Sequence, residues 1–297
     1  MTGIVLLDKP EGITSFLATA QLRRVFGEKK IGHTGTLDPM ASGLLPVLLG
    51  GATKFADLLP SHDKAYRATF LLGAETDTLD ITGRVVRQRY VAANAADVEA
   101  ALASFRGRIT QTPPMYSAVS QNGVRLYALA RQGIEVERKT REVEIYRLEM
   151  TDADEVKGAY TIDVYCSGGT YIRSLVSDLG SALGCGAVLT ALRRTEANGL
   201  SVEHAHTPDE LRACSPQTLC ACVLPVDAVL ADYPAVTVTQ KQRVRFCNGG
   251  ALDLARVRGA DAEGLYRVYD PQGVFLGLGR RNADQNELAV KRLLIER

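Results

Sequence analysis

The spacing of apolar residues along the chain changes repeatedly, and each change marks an element. The opening GIVLLDK is a short apolar run stopped by Lys-Pro and a glycine turn, which predicts a strand. Ser15 then predicts a helix cap ahead of FLATAQLRRVF, whose Phe16, Leu17, Leu22 and Val25 share an apolar side, and Gly27 ends that helix. After a glycine-bearing loop, GLLPVLLGGATKFADLL is almost continuously apolar, with Thr53 ahead of a helical-looking KFADLLP. KAYRATFLLGAETDTLDITGRVVRQ alternates like strands joined by a polar turn over residues 76–83, and AADVEAALASFRG is the clearest amphipathic helix. TREVEIYRLEM and GAYTIDVYC alternate again, the second breaking at Gly168-Gly169 before the helical pattern YIRSLVSDLGSALG. Strands and helices are interspersed without βαβ repetition, which predicts an α+β fold with a mixed, mainly antiparallel sheet. Around residues 224–234 the character shifts to short strands with glycine turns and no long helix, the pattern of a separate small β-barrel.

Composition narrows this picture only slightly. A chain of 297 residues, 46% hydrophobic, buries one large core or two smaller ones, and a net charge of +1 sets up no global field for a polyanion. Two local excesses stand out: residues 104–147 hold eight Lys/Arg against four Glu, and residues 240–297 hold eleven Lys/Arg against seven Asp/Glu. The start has no basic leader and no long apolar run follows anywhere, so a cytoplasmic protein without a membrane partner is expected. Six scattered cysteines form no CxxC and no disulfide framework. His204, His206, Cys214, Cys220 and Cys222 lie close together, but their spacing fits no familiar zinc site, so no metal is expected there.

One stretch asks for a chemical explanation. In GHTGTLDPMASGLLPVL, Asp38 sits behind Gly32 and Gly35, which permit positive φ or close approach of another chain, and ahead of Pro39, which fixes φ. That reads as a tight loop presenting a carboxylate. P-loop, dinucleotide, nucleophile-elbow and zincin signatures are all absent. What remains is Asp38 as nucleophile or general base, Arg173 in GGTYIRSL to keep it ionised and aimed, and Tyr66 in DKAYRA for stacking and proton handling. From spacing alone, a turn aspartate, a helix-start surface charge and a half-buried strand tyrosine are the more ordinary readings of these three residues.

Five segments occur in one order: GHTGTLDPMASGLLPVLLGGATK, DKAYRATFLLGAETDTLD, PPMYSAVSQNGVRLYALARQG, REVEIYRLE and YCSGGTYIRSLVSDLGSALGCGAVLTALRR. With the opening LLDKPEGITS, they resemble the TruB family of bacterial tRNA pseudouridine synthases across residues 3–200, and more weakly beyond. The resemblance implies a pseudouridine synthase fold over residues 1–225, a thumb-like RNA-contacting segment at 104–147, and a PUA-like barrel at 234–297. It implies tRNA, through the T-loop of its T-arm, as partner, and conversion of uridine-55 to pseudouridine without a metal or small-molecule cofactor. Asp38 is then the catalytic carboxylate, Tyr66 stacks on the base and takes the C5 proton, and Arg173 pairs with Asp38. His33 enters the RNA, Tyr171 and Leu192 line the uracil pocket, Lys9 and Pro10 brace the loop, and Asp80 sits nearby. A monomer is the simplest expectation. An RNA-binding module without catalysis and a nucleoside glycosidase are the alternatives. The His204–Cys222 cluster lies outside the shared pattern.

Overall fold

In the computed structural model, which describes residues 1–121 and 123–294, the alternating stretches assemble into a ten-stranded mixed sheet. Its first strands are β1 (Gly3–Lys9), β2 (Ile31–His33), β3 (Ser42–Leu49) and β4 (Lys64–Leu72), followed by an outlying pair β5 (Ala74–Thr76) and β6 (Val85–Gln88). Next come β7 (Gly107–Gln111), the small hairpin β8 (Ser120–Gln121) and β9 (Val124–Arg125), then β10 (Arg141–Asp154), β11 (Ala159–Cys166), β12 (Ala187–Ala197), β13 (Leu200–Ser201) and β14 (Val223–Leu224). The main path runs β14-β1-β3-β12-β4-β11-β10-β7, antiparallel throughout except where β12 meets β3. Helices α1 (Ser15–Phe26), α2 (Ala95–Ala103), α3 (Leu126–Ala130), α4 (Ile172–Ala182), α5 (Pro208–Ala213) and α6 (Pro216–Ala221) flank it.

Two registers position the site. On β4, Tyr66, Ala68, Phe70 and Leu72 point into the core at period two. Val164 of β11 and Arg194 of β12 stand directly opposite Tyr66 on its two sides, so all three share one face. β12 carries bulges between Leu189 and Ala191 and between Arg194 and Glu196, which re-aim its side chains around that row. Its parallel seam with β3 depends on Gly43, at φ 100°, where an added Cβ would stand 2.2 Å from the Arg194 carbonyl oxygen. α4 buries Ile172, Leu175, Val176 and Leu179 on the sheet, each worth about 1.5–3 kcal/mol. Its Gly180 permits the contact: a Cβ there would lie 2.2 Å from the Ala187 amide nitrogen.

The small C-terminal sheet runs β15 (Ala235–Thr237), β17 (Leu265–Tyr269), β18 (Phe275–Asn282), β19 (Glu287–Leu293) and β16 (Leu252–Asp253). It closes over Val236, Phe246, Tyr266, Val268, Leu276 and Leu288. Phe275 and Leu278 face the other way, into one cluster with Ile4, Leu44, Phe55 and Leu230, so this sheet is seated on the back of the large one.

Several local expectations need correction. Thr14, not Ser15, caps α1: it is extended and its side chain accepts from the Leu17 amide, because Ser15 Oγ is committed to Leu37. Phe16 is 71% exposed and Leu17 is exposed too, since the packed face is Ser15, Ala18, Thr19, Leu22 and Phe26. Thr53 caps no helix over KFADLLP; Gly50–Phe55 forms a 3₁₀ turn in which its hydroxyl donates to the Gly50 carbonyl. Within the strand-like C-terminal stretch, Gln240–Cys247 is a helix, α7, started by a capping box of Thr239 and Gln242.

Candidate active site

Asp38 stands on the loop between β2 and β3, and that loop is pinned from below. Ser15 Oγ accepts from the Leu37 amide (2.8 Å) and donates to the Leu37 carbonyl (3.0 Å). The Gly12 amide donates to the Pro39 carbonyl (2.8 Å), and Ala41 N–H closes the turn back to the Asp38 carbonyl (3.1 Å). Fully buried Lys9 ties the neighbouring turn by donating to the carbonyls of Pro10 (2.7 Å) and Ile13 (2.9 Å). Pro10 itself is exposed and contributes its carbonyl. Neither Gly32 nor Gly35 takes positive φ. Gly32 has room for a Cβ, and one on Gly35 would make only an ordinary contact with Lys64 Cε at 3.4 Å, so neither glycine is required by a close approach within this chain.

The carboxylate meets a guanidinium held almost immobile. Arg173, 4% exposed on the first turn of α4, donates through Nη2 to Asp38 Oδ1 (2.9 Å) and lies 2.8 Å from Oδ2 through Nε. Nη1 reaches the Thr78 carbonyl (3.0 Å) and Nη2 also donates to the Tyr116 carbonyl (2.8 Å), a fork geometry that a point charge cannot reproduce. Asp80 stands behind it, buried, 3.8 Å from Nη1, with Oδ1 held by the hydroxyls of Thr78 and Thr82 and the Thr82 amide. Burial raises the Asp38 pKa above the ordinary carboxylate range; Arg173 pulls it down and Asp80 pushes it up.

Around this pair opens a cleft of about 370 Å³. Leu37, Tyr66, Tyr171, Ile172 and Leu192 supply apolar lining, and Lys64, Ser117 and Thr170 supply polar edges. Tyr66 is buried, and burial pushes its phenol up to about 12, with Arg194 the main opposing influence. Tyr171 is fixed through its backbone by the Gln111 amide and stacks beneath Arg141, whose guanidinium carbon lies 5.4 Å from the ring centre. Burial lowers the pKa of Lys64, whose Nζ donates to the His62 carbonyl (2.7 Å).

The sequence-predicted residues therefore divide. Asp38, Tyr66, Tyr171, Arg173 and Leu192 converge on one cleft; Lys9, Pro10 and Asp80 lie behind it as supports. His33, half-buried on β2, does not line the cleft; its pKa is lowered by burial and by nearby Arg194, and its Nδ1 has no hydrogen-bond partner. Sequence reasoning missed Ser15 as a loop brace, the Thr78 and Tyr116 carbonyls, Lys64, Ser117 and Arg194. Lys64 and Arg194 lie within quoted motifs, whereas backbone carbonyls leave no sequence signal. A roomier groove of about 650 Å³ between α1 and α5–α6 is lined by Leu17, Arg24, Leu211 and Cys214 among others, and holds none of these site residues. His206 pairs by backbone with Leu6 and Asp8, and Cys222 Sγ lies 3.3 Å from the Thr218 carbonyl. Among the described residues, no three His, Cys, Asp or Glu side chains converge to hold a metal. No helix among them is long and apolar enough to cross a membrane.

Known structures share this architecture. A chain in the crystal structure of a Cbf5-Nop10-Gar1 complex superposes with a TM-score of 0.75 over 99% of this chain and 85% of that one, at 24% identity. A chain of an H/ACA RNP bound to a substrate RNA containing 2'-deoxyuridine gives 0.72, covering 99% and 86%, at 22% identity. The fold of this chain is shared with those chains. Residues 23–172 match the TruB family pseudouridylate synthase N-terminal domain, residues 173–231 the tRNA pseudouridylate synthase B C-terminal domain, and residues 234–294 the pseudouridine synthase II TruB C-terminal domain. tRNA pseudouridine synthase B of Thiobacillus denitrificans is 44% identical over 98% of this chain and 95% of its own length. Its Escherichia coli O1:K1 / APEC counterpart is 40% identical over 100% and 96%. The chain belongs to the TruB family of pseudouridine synthases.

Proposed function

We propose that this protein isomerises uridine-55 in the T-loop of tRNA to pseudouridine, acting as a cytoplasmic monomer. The carrying observation is the two-bonded Asp38–Arg173 pair on the floor of a cleft walled by Tyr66, Tyr171 and Leu192. The names of its close relatives support tRNA as substrate.

The reaction exchanges a C1′–N1 bond for C1′–C5 within one nucleotide, so its atoms balance without a donor or water. The base must leave its stack to reach Asp38, at a cost of about a few kcal/mol. Asp38 drives C1′–N1 cleavage, Arg173 keeps it ionised and aimed, and the detached uracil turns within the cleft. C5 then bonds to C1′, Tyr66 takes the C5 proton and N1 gains one. Tyr171 and Leu192 hold the loose base and exclude water that would divert the reaction to hydrolysis. Residues 1–225 form the catalytic unit, 104–147 close on the T-loop, 234–297 bind RNA as a PUA-like domain, and His33 fills the stack left by the extruded base.

Unmodified tRNA transcript, incubated with the protein and mapped by pseudouridine-specific chemistry, tests the reading. Modification of uridine-55 is expected, and Asp38→Asn should abolish it while tRNA affinity stays within about a few-fold. Product from Asp38→Asn would refute the catalytic assignment of Asp38, absence of product from the wild type would favour an RNA-binding module, and free uracil from the wild type would mark a glycosidase.

A further inference from the structure

The wall behind Tyr66 holds an unusual cation. Arg194 is 1% exposed, yet no carboxylate pairs with it among the described residues. Nε donates to the Leu44 carbonyl (2.7 Å) and Nη2 to the Gly35 carbonyl (3.1 Å), while buried Nη1 makes no well-formed hydrogen bond. A buried charge without a counter-charge, and a buried donor without an acceptor, both cost stability. A scaffold role accounts for the two bonded limbs but leaves the third unexplained.

Register says where that limb works. Arg194 and Tyr66 are direct partners across the β12–β4 ladder, which places their side chains on the same face. Within that face, Arg194 lies within reach of the Tyr66 hydroxyl and draws it towards ionisation, by its charge and by side-chain hydrogen bonding, against the effect of burial. The other groups acting on Tyr66 are the Cys166 thiol from β11 and Asp38 from its loop, both of which oppose ionisation. Lys9, His33 and Lys64 crowd Arg194 in turn, and each has its pKa lowered with Arg194 contributing after burial. Among the described residues Arg194 shares no carboxylate with these neighbours, so its charge faces Tyr66 without a counter-ion, an arrangement suited to receiving one negative charge.

We propose that Arg194 is a positioning residue that acts through Tyr66, its open Nη1 limb bonding the phenolate oxygen that removes the C5 proton. This rests on the pseudouridine synthase reading above. Once C1′–C5 has formed, C5 bears both the sugar and its hydrogen. Tyr66 gives its phenolic proton to solvent, and the resulting oxyanion takes the C5 proton. The C5–H electron pair closes C5=C6, the former C6=N1 pair moves to N1, and N1 takes a proton from solvent. A hydrogen bond from Nη1 favours the phenolate over the phenol, so it speeds this step and no earlier one.

The test is single-turnover kinetics on transcripts carrying protiated or C5-deuterated uridine, from neutral to alkaline pH, with wild type, Arg194→Met and Arg194→Lys. Arg194→Met is expected to slow the reaction by about 10- to 100-fold, the loss expected for one charge-assisted bond. Its deuterium effect should exceed that of wild type and its rate should climb with pH, while Arg194→Lys recovers most of the rate. Equal slowing of both isotopic substrates with a wild-type pH profile would make Arg194 a brace only and overturn the inference. Should Arg194→Met not fold, Arg194→Gln decides, compared alone and on a Tyr66→Phe background: a loss that vanishes on the Tyr66→Phe background supports action through Tyr66, and an additive loss refutes it. Failure of wild type to make pseudouridine would sink the underlying reading instead, and shows before any variant is compared.

Discussion

Arg173→Lys is the most searching conservative change in the site, because it keeps the charge and removes only its shape. Arg173 makes two charge-assisted contacts with Asp38, at 2.9 and 2.8 Å, and one bond each to the carbonyls of Thr78 (3.0 Å) and Tyr116 (2.8 Å). A lysine ammonium preserves the attraction but offers one nitrogen where two limbs now grip the carboxylate. Losing one charge-assisted bond costs about 1.5–3 kcal/mol, so kcat should fall by about 10- to 150-fold. KM should move far less, since the lost contact aims a catalytic group and does not grip the RNA.

Loss of label from transcripts tritiated at C5 measures the chemical step directly, because that hydrogen leaves only when the base has been rejoined. Thermal melts must accompany it: up to two buried carbonyls lose their donor, and some destabilisation is expected whatever happens to turnover. Turnover within about threefold of wild type, in a folded variant, would show that the fork is unnecessary and refute the aiming role.

Three further outcomes follow from the same geometry. Ser15→Ala removes both bonds to Leu37 beside the catalytic aspartate, so denaturant titration should show a loss of about 2–4 kcal/mol, with reduced turnover in the folded fraction. Leu192→Ala trims the buried wall of the cleft and admits water, so chromatography should detect free uracil that wild type does not release. Burial lowers the Lys9 pKa from 10.5 to about 8, so between those values the unfolded chain binds more protons and stability gains as pH rises; below about 8 the burial cost stands in full. The stability of wild type relative to Lys9→Met should therefore rise by roughly 1–3 kcal/mol across that window in paired denaturant titrations, and a flat difference would remove Lys9 as the titrating group.

How much of this was legible in the chain depends on whether the signal is local. β4 and β11 alternate cleanly because one face of each lies in the core, and their patterns are visible in KAYRATFLL and AYTIDVYC. β12, the strand joining the two halves of the sheet, announces nothing as clear, because two bulges interrupt its period. α7 hides for the opposite reason: KQRVRF alternates like a strand, and only the capping box of Thr239 and Gln242 gives it away. Ser15 has the right identity for a helix cap but serves the loop carrying Asp38. In each case the misleading feature is a residue or pattern serving a contact distant in sequence.

The site follows the same rule, with one informative exception. Asp38 and Arg173 are separated by 135 positions, and no spacing argument joins them. Arg173 nevertheless breaks a local preference: it places a cation in the first turn of α4, where the helix dipole favours anions, and no acidic residue accompanies it there. A violation of that kind requires compensation from elsewhere in the fold. The loop between β2 and β3 provides it in Asp38, with Asp80 behind, so the charge that α4 disfavours is held by two carboxylates. Gly180 lets α4 settle against β12, and Gly43 lets β12 lie along β3, so two absent side chains set the distance at which the charges meet. The same convergence leaves Arg194 opposite Tyr66 without a carboxylate of its own, and the two cations are therefore unequal. Arg173 is satisfied before substrate arrives, whereas Nη1 of Arg194 has no well-formed bond and stands beside Tyr66, where the proposed charge forms during reaction.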